Sequence, residues 1–390
     1  MMRESVSGRA PRLLFVCNVA WFFLSHRLPL ARAARAAGYE VHVAAGVESE
    51  QEERRIRAEP VTFHRLSLSR GSLNPLRELA TVRELRTLLR TLQPDLVHNI
   101  AAKPVIYGTW LASRQRVRAI VNAISGMGYV FTGGGGARRL LRALVRAAYA
   151  HVLRNAHSVV IFQNEQDRRE FVDRRVIAPE QAVIVRGSGV DLDDFRATPE
   201  PGGVPLVLLP ARLLRDKGVM EFGAAARRLR DEGVAAAFAV AGGRDPANPA
   251  SLTDAQQRWL SSECGVTLLG HREDVPALMR DCHVVCLPSY REGLPKALIE
   301  ACASARAIVA TDVAGCRAVV EHDSNGLLVP PMDERQLASA LRRLIEDPVL
   351  RRRMGAAGRR RAEKEFDVRL VVDQTLALYD RLLDRKAPTA

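Results

Sequence analysis

The sequence predicts an α/β protein built of two parallel-sheet domains in tandem. Its 390 residues exceed what one ordinary hydrophobic core needs and fit two domains. Short apolar runs alternate with stretches that repeat apolar residues at helical spacing, which is typical of parallel sheets covered by helices. The alternation is interrupted once by a segment rich in proline, glycine and aspartate, residues 191–205, and then starts again. We therefore expect two Rossmann-like domains that face each other across a cleft.

The predicted strands are short runs of aliphatic residues that follow one another at regular intervals. In the first domain they are residues 13–17, 41–45, 96–98, 119–122, 159–162 and 183–186. In the second domain they are residues 206–209, 237–241, 266–268, 284–287, 308–310 and 327–329. Between them lie amphipathic patterns such as residues 28–37 and 79–92, which predict the covering helices.

The domain bounds follow from this pattern. We expect an N-terminal domain at residues 1–190, a hinge at 191–205 and a second domain at 206–370. Residues 371–390 predict a last helix that can cross back to the first domain.

Composition excludes several classes of protein. A chain with 47% hydrophobic and 26% charged residues is globular rather than disordered or fibrous. No run approaches the roughly 20 apolar residues of a spanning helix. The six cysteines lack the paired spacing of zinc sites, so we expect buried thiols in a reduced cytoplasm and no metal or other cofactor.

The net positive charge lies in the first half of the chain. Residues 1–190 contain 29 Lys/Arg and 15 Asp/Glu, whereas the remaining residues are neutral overall. Such a surface attracts phosphate-rich partners: anionic lipid, nucleic acid or an acidic substrate. Nucleic acid is disfavoured because no zinc-finger, basic-zipper or RNA-binding signature accompanies the charge.

An amphipathic segment at residues 137–155 suggests contact with a membrane surface. Leucines fall on one side of this predicted helix, and the opposite side carries Arg138, Arg139, Arg142 and Arg146. Such a helix can lie among anionic headgroups, although a helix packed on a sheet has the same pattern. We expect a peripheral protein on the cytoplasmic face of the plasma membrane.

The segment 289–300 carries the sharpest chemical pattern. It follows a predicted strand, and Pro295 is suited to the first turn of the next helix. Free N–H groups at such a helix start can hold a phosphate, with Glu292 in the loop and Glu300 inside the helix. The two carboxylates could reach different hydroxyls of one elongated ligand. The alternative is an ordinary strand, turn and helix with two solvated glutamates.

A second pattern, residues 212–218, follows the strand at 206–209. Arg212 and Lys217 are two cations in one loop, and together they can neutralise a diphosphate in place of a metal ion. Taken alone, this segment could also be a solvated basic turn.

Together these patterns resemble the family 4 glycosyltransferases of GT-B fold. The resemblance is carried by the spacing from Glu292 to Glu300, by the loop of Arg212 and Lys217, by Gly189-Val190-Asp191, and by Leu268-Leu269-Gly270 before Asp274. Finer features are similar to a subgroup that builds capsular polysaccharides and lipid-linked oligosaccharides: Ser69-Arg70-Gly71-Ser72-Leu73-Asn74-Pro75, Ser125-Gly126-Met127-Gly128-Tyr129, Gly242-Gly243-Arg244-Asp245 and Gly315-Cys316.

The resemblance implies a role for each matching residue. Arg212 and Lys217 would hold the donor diphosphate and stabilise the departing phosphate, and Glu300 would bind the ribose. Glu292, with the backbone of Gly293 and Leu294, would face the donor sugar. The loop from Gly270 to Arg272 would border the nucleobase. The family retains anomeric configuration and needs no metal, which implies catalysis by positioning and electrostatics.

One position departs from the family pattern. Many relatives carry two histidines two residues apart after the strand at 96–98, and the second contacts the donor sugar. Here His98 is present, but Ile100 stands at the second position. Asn99 or Lys103 could take over the sugar contact, and His98 could be catalytic or structural. We place Lys103 with the arginines of residues 138–146 as a candidate acceptor or membrane contact.

The sequence thus predicts a retaining, metal-independent glycosyltransferase. We expect its donor to be a UDP-sugar, bound by the domain at residues 206–370. Its acceptor would be a polyprenyl-diphosphate-linked saccharide, bound by the membrane-facing domain at residues 1–190. Two alternatives stay open at this point. One is a nucleotide-sugar epimerase or hydrolase of the same fold, and the other is a lipid- or nucleic-acid-binding protein with an inactive donor site.

Overall fold

The computed structural model describes residues 9–69, 74–124, 147–154, 158–246 and 248–384. The chain divides into two compact units. Unit 1 comprises Met1–Phe162, Asp167–Val185 and Val372–Ala390, and unit 2 comprises Gln163–Gln166 and Arg186–Val371. Each unit is a parallel sheet with helices, which confirms the predicted fold class. The hinge at residues 191–205 stays a prediction.

The sheet of unit 1 has the strand order β3-β2-β1-β4-β5-β6-β7, with every pair parallel. Its strands are β1 Arg12–Val19, β2 Glu40–Gly46, β3 Thr62–Arg65, β4 Leu96–Ile100, β5 Ala119–Ile124, β6 Ser158–Phe162 and β7 Ala182–Ile184. The central strands β4 and β5 are buried throughout, as expected for a sheet covered on both faces. The pattern analysis missed β3, because this edge strand is only partly buried and has no aliphatic run.

Helices connect the strands of unit 1 and supply the residues that cover its sheet. They are α1 Ala20–His26, α2 Leu28–Ala36, α3 Glu50–Arg57, α4 Pro75–Leu92, α5 Ala102–Arg114 and α6 Glu165–Asp173. Helix α4 begins cleanly because Pro75 occupies its first turn and the Asn74 side chain accepts from the Leu76 N–H at 3.0 Å. Leu85 and Leu89 of α4 then pack on the sheet beside Leu14 and Val97.

The sheet of unit 2 has the order β10-β9-β8-β11-β12-β13, again parallel. Its strands are β8 Leu206–Leu209, β9 Ala237–Val240, β10 Val266–Leu268, β11 Val284–Leu287, β12 Ala307–Thr311 and β13 Gly326–Val329. Its helices are α7 Val219–Asp231, α8 Asp254–Arg258, α9 Val275–Asp281, α10 Lys296–Ala303, α11 Ala314–Arg317, α12 Glu334–Glu346 and α13 Pro348–Arg361. A last helix, α14, spans Val368–Leu382 and ends within unit 1.

The start of α10 corrects one sequence-based expectation. Pro295 is not the first helical residue but the residue before it, with extended backbone angles of φ −72° and ψ 115°. Its carbonyl accepts from the N–H groups of Leu298 and Ile299 at 3.1 and 3.3 Å. Proline therefore starts the helix by accepting its first hydrogen bonds, and Lys296 is the first helical residue.

The described part of the chain contains no helix that is both long and apolar enough to cross a bilayer. All six cysteines are buried free thiols. Burial raises the pKa of each of them, so they remain protonated.

Candidate functional site

The candidate site lies in unit 2, where loops leave the carboxyl ends of neighbouring parallel strands. Because all these strands run in one direction, their following loops emerge at the same edge of the sheet. The strand order reverses between β8 and β11, and such switch points are where open α/β sheets bind ligands. The loops carry Arg212 and Lys217 after β8, Asp245 after β9, Gly270 after β10, Glu292 after β11 and Gly315 after β12.

Lys217 and Glu292 meet at this edge. The Lys217 ammonium lies 2.5 Å from Glu292 Oε1, and the two side chains are 23% and 11% exposed. Lys217 ends a short 3₁₀ turn, Arg215–Lys217, and Gly218 follows it with a φ of 70°. A Cβ at Gly218 would lie 2.1 Å from the Pro288 carbonyl oxygen. Glycine is therefore what allows the loop after β8 to touch the loop after β11.

Tyr290 ties the same two loops together. Its N–H donates to the Asp216 carbonyl at 2.9 Å, and its hydroxyl donates to Glu221 Oε1 on α7 at 2.5 Å. Burial, with the adjacent Glu221 carboxylate, raises the pKa of Tyr290, so the phenol stays protonated and remains a donor. Sequence reasoning gave neither Tyr290 nor Glu221 a role, although Tyr290 stands inside the motif that contains Glu292.

Arg212 forms an ion pair with Asp245, which follows β9. The Arg212 side chain is 39% exposed, whereas Asp245 is only 14% exposed. The loops after β8 and β9 also approach each other closely. A Cβ at Gly242 would lie 1.9 Å from the Ala211 carbonyl oxygen, so only glycine fits there. Asp245, the more buried of the two, therefore orients the guanidinium of Arg212. Its motif, Gly242-Gly243-Arg244-Asp245, carries part of the family resemblance, but the resemblance implies no role for this carboxylate.

The loop after Glu292 is held by backbone packing. Gly293 and Leu294 are buried, and the Gly293 carbonyl accepts from Asn164 Nδ2 at 2.7 Å. On the other side, a Cβ at Gly315 would lie 2.5 Å from the Glu292 carbonyl. Close contacts on both sides fix the backbone that carries the Glu292 side chain.

Glu300 lies inside α10, one turn after Lys296. It is 7% exposed, and the Lys296 ammonium lies 3.4 Å from its Oε1. Burial raises the pKa of Glu300, and the Lys296 charge opposes that rise. A carboxylate in this position can accept hydrogen bonds from the hydroxyls of a bound molecule.

The loop after β10 is exposed from Gly270 to Asp274. Gly270 has a φ of 68°, and a Cβ there would meet nothing within 4 Å. Arg272 is held by Asp274 at 2.5 Å, and this hydrogen bond raises the pKa of Arg272 and lowers that of Asp274. The guanidinium of Arg272 thus has a fixed orientation at the edge of the site.

His98 lies in unit 1, on β4, and is 1% exposed. Its Nδ1 lies 2.5 Å from the hydroxyl of Tyr379, which belongs to α14. Burial, reinforced by the charge of Arg27, lowers the pKa of His98 well below its ordinary value, so the ring is neutral. Within the described residues, Nε2 of His98 has no hydrogen-bond partner.

The alternatives considered for the sugar contact have very different surroundings. Asn99 is fully buried, and its Nδ2 donates to Asn122 at 3.0 Å and to Thr109 at 3.3 Å. Lys103 is partly buried, 2.6 Å from Glu78 and 2.8 Å from the Ser69 carbonyl. The remaining candidate acceptor or membrane contacts, Arg138, Arg139, Arg142 and Arg146, lie outside the described residues.

Comparison with known proteins finds a glycosyltransferase domain in each half of the chain. Residues 12–164 match the family model described as glycosyl transferase 4-like, and residues 204–347 match the model described as glycosyl transferases group 1. In structure, sucrose-phosphate synthase from Thermosynechococcus elongatus superposes with a TM-score of 0.79 at 21% identity. That match covers 96% of this chain and 99% of the synthase, so the two share a fold.

Two curated relatives are similar in sequence. The N,N'-diacetylbacillosaminyl-diphospho-undecaprenol alpha-1,3-N-acetylgalactosaminyltransferase of Campylobacter jejuni is 28% identical over 93% of this chain and 98% of its own length. The UDP-Gal:alpha-D-GlcNAc-diphosphoundecaprenol alpha-1,3-galactosyltransferase of Escherichia coli is 22% identical over 79% of this chain and 81% of its own length. With matching domains in both halves and relatives along nearly its whole length, the chain belongs to the family 4 glycosyltransferases of GT-B fold and is an enzyme.

Proposed function

We propose that this enzyme transfers a sugar, with retention of anomeric configuration and without a metal ion, from a UDP-sugar to a polyprenyl-diphosphate-linked saccharide. The observation that carries the proposal is the meeting of Lys217 and Glu292 at the switch point of unit 2. An ammonium has three donors, so Lys217 can hold Glu292 and still donate to a phosphate oxygen. Arg212, fixed by Asp245, adds a planar guanidinium suited to the same diphosphate.

This arrangement can stabilise the charge that develops during transfer. As the bond between the sugar C1 and the diphosphate oxygen breaks, negative charge grows on the leaving group, where Lys217 and Arg212 act as preorganised cations. The acceptor oxygen bonds to C1 on the face that the diphosphate leaves, and the departing phosphate takes the hydroxyl proton. Glu292, Gly293 and Leu294 would border the sugar, Glu300 the ribose, and the loop from Gly270 to Arg272 the base.

The donor and acceptor classes are drawn from the relatives. The name of the Escherichia coli enzyme states that it uses UDP-galactose and forms an alpha-1,3 linkage. Because galactose is α-linked in UDP-galactose, that reaction retains configuration. Both relatives act on saccharides linked to diphospho-undecaprenol. A lipid acceptor would place this chain, with its basic first half, on the inner face of the plasma membrane.

The proposal is tested first by donor binding. Saturation-transfer NMR with a panel of UDP-, GDP- and ADP-sugars should show selective binding of a UDP-sugar. Membrane extract and the best-binding donor should then yield labelled sugar in the lipid fraction, at an unchanged rate when EDTA is added. Release of free or epimerised sugar without a lipid product would instead favour the hypothesis of a nucleotide-sugar hydrolase or epimerase.

Two substitutions test the assigned residues. Lys217→Ala and Glu292→Ala should each lower turnover by about two to three orders of magnitude, since each removes a group placed at the reacting diphosphate or sugar. Lys364→Ala, which removes an exposed lysine elsewhere in unit 2, is the matched control. Circular dichroism checks that all three variants fold. Near-wild-type turnover in Lys217→Ala would exclude the proposed role of the pair.

A further inference from the structure

A short segment after β6 lies against the loop that carries Glu292. Gln163–Gln166 belongs to unit 2, although the chain on both sides of it belongs to unit 1. Within it, Asn164 is 4% exposed, and its Nδ2 donates to the Gly293 carbonyl at 2.7 Å. The family resemblance implies no role for Asn164. A buried amide from a segment 129 residues away thus binds the backbone next to Glu292.

The same segment is also bound to α11, which follows the next strand of the sheet. Arg317 of α11 donates from Nη2 to Gln166 Oε1 at 2.8 Å. In the same helix, Gly315 is the residue that packs closely on the Glu292 carbonyl. The segment therefore lies beside the loops that follow β11 and β12, and its position does not depend on the bond from Asn164 alone.

The bond from Asn164 fixes the direction of one peptide group in the Glu292 loop. The peptide bond between Gly293 and Leu294 is trans, so its carbonyl oxygen and its N–H point to opposite sides of the chain. With Asn164 on the carbonyl, the Leu294 N–H points away from Asn164. Among the described residues, this N–H donates to no protein acceptor. A donor without a partner on a residue that is only 8% exposed costs free energy unless a bound molecule accepts from it.

The side chain of Leu294 prevents this peptide group from turning over. Leu294 packs in the hydrophobic core of unit 2. The backbone of Gly187 approaches it closely, because a Cβ at Gly187 would lie 2.8 Å from Leu294 Cδ2. The carbonyl is thus held by Asn164 and the side chain by the core, which leaves the N–H one direction.

We propose that Asn164 is a positioning residue for sugar transfer: by holding the Gly293 carbonyl, it directs the Leu294 N–H toward the phosphate that carries the donor sugar. The identity of that phosphate rests on the proposed function. The resemblance implies that the backbone of Gly293 and Leu294 faces the donor sugar, and Asn164 is the side chain that orients this backbone. Lys217, 2.5 Å from Glu292, adds a cation at the same loop.

Isothermal titration of the full chain with UDP and with UMP tests this role. UMP lacks the phosphate that would carry the sugar, so it reports on the contacts of the base and the ribose. Asn164→Ser removes the amide donor but stays neutral, and serine precedes a helix as favourably as asparagine does. It should weaken UDP binding by about five- to tenfold and leave UMP affinity within about twofold of the wild type. Asn164→Ala should give the same difference between the two nucleotides and serves as a second variant.

Asn325→Ser is the matched control. Asn325 is another buried asparagine of unit 2, and its Nδ2 donates to the Val319 carbonyl at 3.0 Å. It precedes β13, at the amino ends of the strands, whereas the site lies at their carboxyl ends. Asn325→Ser should lower the midpoint of urea unfolding, as Asn164→Ser does, but should change the affinity for neither UDP nor UMP.

Three results would overturn the proposal. Wild-type UDP affinity in Asn164→Ser, or equal losses of UDP and UMP affinity, would mean that Asn164 only stabilises the fold. An equal loss of UDP affinity in Asn325→Ser would mean the same. A wild-type chain that binds no UDP would instead overturn the proposed function and, with it, the role of Asn164.

Discussion

At the scale of single residues, the candidate donor site depends on pairs that orient one another. Lys217 is oriented by Glu292 and Arg212 by Asp245, each through one short contact. Both pairs remain partly exposed, so a ligand can reach the cations while their direction is fixed. Only the residue types could be read from the sequence. The partners come from distant segments and required the folded chain.

The hydroxyl of Tyr290 provides a sharper test of this orientation. Tyr290→Phe removes the 2.5 Å hydrogen bond to Glu221, and we expect a loss of about 1–3 kcal/mol in the free energy of unfolding because Glu221 stays partly buried. The affinity for UDP should fall as well, since the loops of Lys217 and Glu292 lose a link. Tyr107→Phe removes a comparable bond, 2.9 Å to Glu78 in unit 1, and is the control. Unchanged UDP affinity in Tyr290→Phe, measured by titration, would show that this tyrosine only stabilises the fold.

His98 gives a prediction on pH. Its folded pKa is lowered by burial, so the folded chain does not take up its proton as pH falls through the ordinary value near 6.5. The unfolded chain does, and stability therefore falls with falling pH. Between pH 6.5 and 5.5 this group should account for about 1 kcal/mol.

NMR of the imidazole C–H groups measures this directly. The His98 resonance, assigned by its loss in His98→Asn, should stay unchanged between about pH 5 and pH 8. A shift with a midpoint near 6.5 would contradict the burial and neutrality described above.

At the scale of elements, the aliphatic runs predicted the strands well because buried parallel strands are continuously apolar. The partly buried β3 was missed, and α10 begins one residue later than Pro295 suggested. Neither deviation displaces the site, because the loops are placed by β8 and β11, whose positions were predicted correctly. The aliphatic runs do not reveal how closely the loops after β8 and β11 approach each other.

Gly218 tests that close approach. Gly218→Ala should cost about 2–4 kcal/mol in the free energy of unfolding, since alanine is strained at a positive φ and its methyl group meets the Pro288 carbonyl. Gly233→Ala has a similar φ of 77° but open space around it, so only about 1 kcal/mol is expected. Urea unfolding measures both variants. Equal losses would mean that the contact with Pro288 contributes nothing, and UDP affinity should fall only in Gly218→Ala.

At the scale of the whole molecule, the division of charge follows the chain. All of the net charge of +14 lies in residues 1–190, while the residues that form the candidate donor site lie in unit 2, around Arg212 and Glu292. This division agrees with a basic half that meets an anionic partner and a second half that holds the donor. The long-range attraction exerted by this net charge should weaken as the salt concentration rises.

Vesicle sedimentation tests the charged half. The full chain should bind vesicles of phosphatidylglycerol and phosphatidylcholine, and binding should fall severalfold between about 0.05 and 0.5 M NaCl because exposed charges are screened. Vesicles of phosphatidylcholine alone are the control. Equal, salt-independent binding to both kinds of vesicle would mean that charge does not attract this protein to membranes.

The sequence by itself determined the α/β class, the two parallel sheets and the residue types of the donor site, because burial pattern and short motifs are local properties. It also placed the net positive charge in the first half. Only the tertiary structure decided which groups meet: Lys217 with Glu292, Arg212 with Asp245, and His98 with Tyr379. Contacts between residues far apart in the chain depend on the order of strands in the sheet and on glycines that allow two backbones to approach closely. A local sequence pattern reveals neither.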